Sequence, residues 1–177
     1  MNRLKFFLPK RTLLTLYNTL VLSYLNYAIL TWGTSTSQCN KLLLLQKKAV
    51  RIISNTGYLT HTNPLFAELG ILKINDLFNL NLGKFMFKYK HGLLPPNFND
   101  CFSTVSVVHS YSTRSATKGD YYVNYNHTSV SRHSLLPRCV TFWNNLSTDL
   151  TRLSSLSVFT RKLKIHLISA YNDNQVI

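Results

Sequence analysis

Thr12 to Trp32 is a run of 21 residues without a charged side chain, entered through Lys10 and Arg11. So long an uncharged stretch has two structures open to it: a membrane span behind a positive flank, or a helix buried along most of its surface. The internal pattern favours the second. Thr15, Thr19, Ser23 and Asn26 recur every three or four residues as one polar stripe, and a lone span would turn them toward lipid. Leu13, Tyr17, Leu20, Tyr24 and Tyr27, joined by Val21, Leu25 and Ala28, form the complementary apolar stripe. That period predicts a largely buried helix with one wetted edge. It ends at Trp32-Gly33, where glycine and the polar run Thr34-Ser35-Thr36-Ser37 interrupt it.

The following residues continue in helical period. A second helix is expected from Cys39 to Ser54, with Leu42, Leu45, Ala49, Ile52 and Ile53 on one side and Lys41, Lys47, Lys48 and Arg51 opposite. The short polar link makes the two helices an antiparallel hairpin whose basic face points outward. After a loop at 55–63, Asn63-Pro64 gives a cap and a first helical residue, and Gly70 closes that short element. A longer helix runs from Asn75-Asp76 to Lys90, burying Phe78, Leu82, Phe85, Met86 and Tyr89, before His91-Gly92 and Pro95-Pro96 stop it. From 101 to 134 the chain turns polar and loses its period. Tyr121-Tyr122-Val123 and the alternation at Thr128 to Arg132 suggest short strands. Helix is expected again from Trp143 to Leu146, and after Ser155 or Ser157, where Phe159, Leu163 and Leu167 share a side. The expected fold class is therefore mainly α with a minor strand or irregular insert. Its regions are a helical part at 1–100, the insert at 101–134, a helical segment at 135–170 and a tail at 171–177.

Charge decides which functions suit such a chain. Twenty Lys and Arg face six acids, giving a net charge of +14, and Glu68 is the only glutamate and the first acid met. A balance of that kind points to a polyanionic partner, most often nucleic acid. The expected helix at 39–54 sharpens the point. An ordinary solvated helix mixes Glu with Lys at i,i+4, and this one holds no acid. Lys41, Lys47, Lys48 and Arg51 are therefore the first candidate phosphate contacts, and Arg161, Lys162 and Lys164 the second.

Catalytic groupings are not evident. Two-metal phosphoryl chemistry needs clustered carboxylates, whereas Glu68, Asp76, Asp100, Asp120, Asp149 and Asp173 stand singly. The nearest approach to a zinc pattern is His127, His133 and Cys139, at intervals of six rather than the short paired spacing such sites use. No glycine-rich phosphate loop occurs. Cys39, Cys101 and Cys139 are odd in number and far apart, which fits a reducing compartment better than a disulfide framework. No catalytic residue, metal or cofactor is expected for this chain. Its expected location is nuclear or cytoplasmic and not secreted, so the sequons at Asn126 and Asn145 carry little meaning.

The strings themselves form a series. Leu8-Pro9-Lys10, Leu16-Tyr17-Asn18-Thr19-Leu20, Tyr24-Leu25-Asn26-Tyr27 and Trp32-Gly33 come first. Gln46-Lys47-Lys48-Ala49-Val50-Arg51-Ile52-Ile53, His61-Thr62-Asn63-Pro64-Leu65-Phe66 and Leu69-Gly70-Ile71-Leu72 follow. Then come Phe85-Met86, Leu94-Pro95-Pro96, Tyr111-Ser112-Thr113-Arg114, Phe142-Trp143-Asn144 and Phe159-Thr160-Arg161-Lys162-Leu163-Lys164. In that order the chain resembles the C-terminal part of reverse transcriptases from non-long-terminal-repeat retrotransposons, the jockey-like group, over about residues 8 to 168.

The resemblance implies the thumb and post-thumb region of an RNA-directed DNA polymerase, which grips the template–primer duplex by its backbone. Lys41, Lys47, Lys48 and Arg51 would then face the duplex. The family's aromatic-Ala-Asp-Asp turn is absent from this sequence, and Ser147 stands where the family commonly has Pro. On this expectation Met1 is a start inside a longer element. The chain is a non-catalytic fragment, and the palm and fingers of its parent are missing partners. Two rivals come from other classes: a small basic membrane-anchored protein with a span at 12–32, and a free-standing basic RNA-binding module.

Overall fold

The structure is a computed structural model and describes residues 3–109, 111–124 and 128–173. It is mainly helical, as expected. Two compact units form, one from Met1–Phe78 with Lys164–Ile177 and the other from Asn79–Leu163.

In the first unit a 3-10 turn (Leu4–Phe6) precedes helix α1 (Lys10–Leu16), which Pro9 introduces with φ −65°. The helix continues as a π-helical stretch (Tyr17–Leu22) and a last α-turn, α2 (Ser23–Asn26). The polar stripe has a local use. Thr15, Thr19 and Ser23 turn their hydroxyls back onto the carbonyls of Arg11, Thr15 and Thr19, a contact that loosens and bends helices. The helix expected to reach Trp32 stops at Tyr27, because Ala28 adopts φ 47°. A separate turn, α3 (Ile29–Trp32), follows, and the Trp32 indole donates to the Tyr27 carbonyl at 2.8 Å.

Burial corrects the expected apolar stripe. Leu13, Tyr17, Leu25 and Ile29 are buried, while Leu20, Tyr24, Tyr27 and Ala28 are exposed, the two tyrosines at 79% each. Helix α4 (Thr36–Ile53) starts three residues early and is also rotated from its expected setting. Its inner side is Cys39, Gln46, Val50 and Ile53. Leu45 is 59% exposed, and Leu42, Ala49 and Ile52 are only half-buried. The reason is a buried polar residue. Gln46, 2% exposed, donates to the Tyr17 hydroxyl at 2.8 Å and the Leu72 carbonyl at 3.3 Å, and accepts from the Ile74 N–H at 2.7 Å. Hydrophobic periodicity assigns glutamine to the outside, so it turned the wheel the wrong way.

Helix α5 (Asn63–Glu68) holds Pro64 in its first turn, with Thr62 rather than Asn63 in the cap position. Gly70 follows with φ 62°, the left-handed closure expected of it. Leu13, Tyr17, Val50, Ile53, Leu65, Phe66, Ile71 and Tyr171 pack into one core.

Helix α6 (Ile74–Lys90) matches its expected limits within a residue. Phe78, Leu82 and Met86 are buried as expected, Phe85 and Tyr89 half so. In the second unit the 101–134 segment has little strand. Among the described residues its β structure is one isolated antiparallel bridge, Thr104 to Tyr121. Short helical turns take the place of strand: α7 (Val105–Val108), α8 (Arg114–Lys118) and, where alternation at 128–132 suggested a strand, α9 (Ser129–Arg132).

Helix α10 (Leu135–Asn144) ends, rather than begins, around Trp143. Asn144 then pairs with the backbone of Tyr121, accepting its N–H at 3.0 Å and donating to its carbonyl at 2.7 Å. After a turn, α11 (Thr148–Thr151), helix α12 (Leu156–Asp173) begins with the Ser155 carbonyl accepting from Phe159 N–H at 2.9 Å. Gly83 lets α12 come close: a Cβ there would sit 2.6 Å from Leu163. Phe159 and Leu163 are buried and Leu167 half-buried. Helix α12 also enters the expected tail, where Tyr171 is buried in the first unit. Residues 174–177 of that tail lie outside the described ones.

Candidate nucleic-acid interface

The α4 flank carries its four cations within about a third of the helix circumference, ordered Lys47, Arg51, Lys48, Lys41 around the axis. Lys41 and Lys48 are exposed, Lys47 and Arg51 half-buried. Exposed Leu44 stands within the same arc, so the flank is basic without being purely polar. Among the described residues none of the four reaches a carboxylate, whereas Lys10 pairs with Glu68 and Lys118 with Asp120.

The cations diverge in their surroundings. Lys47 lies toward Lys73, whose pKa is held below its ordinary value by burial first and the Lys47 charge besides, with Asp76 opposing. Arg51 and Lys48 turn the other way, to the loop that follows α4. That loop is closed by backbone geometry. Asn55 takes φ 49°, its N–H reaches the Ile52 carbonyl at 3.3 Å, and the Thr56 N–H reaches the Arg51 carbonyl at 3.0 Å. This is the six-to-one and five-to-two pairing that ends many helices, with asparagine in the left-handed position. The Thr60 N–H then bonds the Gly57 carbonyl at 3.1 Å, turning the chain at Tyr58-Leu59. Arg51 Nε donates to the Thr60 carbonyl at 2.9 Å and so ties the turn back onto its own helix.

The result is a pocket of about 380 Å³ lined by Lys5, Lys48, Arg51, Ile52, Thr56 and Tyr58. Three cations border it and no acid does. The Arg51 guanidinium lies 5.8 Å from the centre of the Tyr58 ring, itself 75% exposed, and Lys5 Nζ lies 4.9 Å from that of Phe6. Lys5, Thr56 and Tyr58 were not among the residues expected from sequence. The polar Ser54-Asn55 pair after a helical period was the available signal, because asparagine is the commonest non-glycine residue to end a helix in the left-handed region.

Arg161, Lys162 and Lys164 are all exposed on α12, opposite buried Phe159 and Leu163. They spread over nearly half of that helix's circumference, so they form a looser group than the α4 four. Arg161 and Lys162 belong to the 79–163 unit and Lys164 to the other.

The residues with nucleophilic or metal-binding chemistry are dispersed. No group of three His, Cys, Asp or Glu that could hold a metal ion occurs among the described residues. Of the weak zinc pattern, His127 lies outside them, His133 is exposed, and Cys139 is fully buried, its thiol pushed up to about 12 by that burial. Cys39, Cys101 and Cys139 are thiols and form no disulfide. Among the described residues no helix is long and apolar enough to cross a membrane. No known protein family, curated protein or solved structure matches this chain.

Proposed function

We propose that the chain is the thumb and post-thumb part of a non-long-terminal-repeat retrotransposon reverse transcriptase, non-catalytic by itself, and that it holds nucleic acid by the phosphate backbone. The observation that carries the binding part is the outward flank of α4, where Lys41, Lys47, Lys48 and Arg51 face no carboxylate among the described residues. Such contacts position a duplex without reading its sequence. The polymerase part rests on the ordered strings that give the resemblance. Several of them hold structural positions here: Gln46 inside α4, Asn63-Pro64 opening α5, and Asn144 pinning Tyr121.

Binding of the chain to a short duplex is expected to depend on salt. Neutralising about four to six phosphates gives a slope of log affinity on log salt of roughly −3 to −5. Reversing Lys47, Lys48 and Arg51 together to Glu removes most of that affinity. Because Arg51 also fastens the loop, the cleaner variant is Lys41→Glu with Lys48→Glu, two exposed side chains without partners among the described residues. A flat salt response, or affinity unchanged in both variants, would sink the proposed surface. The polymerase origin has its own test in the transcript and genomic sequence upstream of the Met1 codon. A coding remnant with an aromatic-Ala-Asp-Asp turn supports it, and an ordinary untranslated leader removes it.

A further inference from the structure

We infer that the pocket behind α4 is a binding site for one unpaired nucleotide, holding its phosphate with Lys5, Lys48 and Arg51 while its base stacks on Tyr58. The inference rests on the backbone-binding reading for its ligand class and goes beyond it in naming a site for a single-stranded unit. A solvated lysine face needs no cavity, yet here three cations border a volume of about 380 Å³ and share it with an exposed aromatic ring. A phosphate with an attached base matches that pairing of charge and π-face, because every base offers a ring and every backbone unit a negative charge.

The site is built rather than accidental. Arg51 is fixed at both ends: its carbonyl accepts the Thr56 N–H, and its Nε donates to the Thr60 carbonyl, which leaves the terminal nitrogens of the fork without a partner among the described residues. The same two bonds set the turn that presents Tyr58. Thr56 lines the pocket as well, and its buried hydroxyl has no hydrogen-bond partner among the described residues. One term opposes an anion here, the C-terminal end of α4. That end carries about half an elementary negative charge, its carbonyls are already bonded by the N–H groups of residues 54 to 56, and three full positive charges outweigh it.

A duplex keeps its bases stacked and paired, so Tyr58 can serve a single strand only. Titrating the full chain against a labelled oligothymidylate of about twelve nucleotides, and against a duplex of the same length, separates the two modes. In Tyr58→Ala the single-strand affinity is expected to fall about ten-fold while duplex affinity changes by less than about two-fold; Tyr58→Phe keeps both. Lys48→Glu weakens both. Competition by thymidine 5′-monophosphate assigns the pocket to a single nucleotide, and strand binding that resists it assigns the pocket to the strand; either keeps the site. Equal affinities in wild type and Tyr58→Ala overturn the pocket, and salt-dependent duplex binding then leaves the backbone reading standing. Wild-type protein that binds neither nucleic acid overturns both.

Discussion

Gln46 shows what a single residue does to this fold. It sits 2% exposed between two helices and a connecting strand of backbone, and satisfies a tyrosine hydroxyl, a carbonyl and the leading N–H of α6. A helix leaves its first N–H groups without internal partners, so the Gln46 oxygen acts as a cap delivered from α4. Replacing it with leucine keeps the volume and orphans the Ile74 N–H and the Leu72 carbonyl. Each buried group left unpaired costs about 1–3 kcal/mol. Gln46→Leu is therefore expected to lower unfolding free energy by roughly 2–4 kcal/mol, read as a shifted denaturant midpoint at unchanged slope. A neutral result would mean that water reaches these groups and that the glutamine does not set the rotation of α4.

At the scale of elements, helix existence was legible in the sequence and helix orientation was not. The α6 limits followed from Asn75-Asp76 and His91-Gly92, and α5 from Asn63-Pro64 and Gly70, because caps and breakers act locally. The inner face of α4 depended on a partner for Gln46 that stands 28 residues away, and no local pattern contains that. The break at Ala28 is similar, since alanine has no preference for the left-handed region and no local residue signals the turn. The basic flank was legible as charge spacing. Its pocket was not, because Asn55 had to turn the loop before Tyr58 and Thr56 could join Arg51. Gly33 tests how tightly α3 is packed. A Cβ there would meet the Ile29 carbonyl oxygen and the Phe78 ring, both at 2.5 Å, and the backbone oxygen cannot rotate aside. Gly33→Ala is expected to cost about 1–3 kcal/mol despite alanine's better helix propensity, checked by thermal unfolding. A gain in melting temperature would show that the turn shifts freely.

For the molecule as a whole, alkaline pH should reveal the core through its tyrosines. Burial raises the pKa of Tyr17 and Tyr121 above the ordinary 10.0; in Tyr121 the neighbouring Tyr89 adds to this, and in Tyr17 the Gln46 bond opposes it. Tyr171 is raised further, by burial first and then by the Asp76 charge and its 2.5 Å hydrogen bond to that carboxylate, against which the Lys73 N–H works. A raised folded value means that the unfolded chain releases these protons first as pH climbs through 10.0. The unfolded state then binds fewer protons than the native one, and stability falls with pH. Lys73 acts in the opposite sense, since its lowered pKa means the folded chain gives up that proton first below 10.5, but it is one group against the three tyrosines and Cys139, whose thiol burial raises from 9.0 to about 12. Unfolding free energy is therefore expected to begin declining near pH 9, where the unfolded chain's Cys139 thiol ionises, and to fall more steeply from about pH 10 upward. Tyr171→Phe separates the causes. It loses the bond to Asp76, so it starts less stable at neutral pH by about 1.5–3 kcal/mol, and it declines less steeply above pH 10 because one buried phenol is gone. Denaturant midpoints taken across that range for both proteins decide the matter: parallel curves would show that the buried tyrosines do not govern the alkaline limit of this fold.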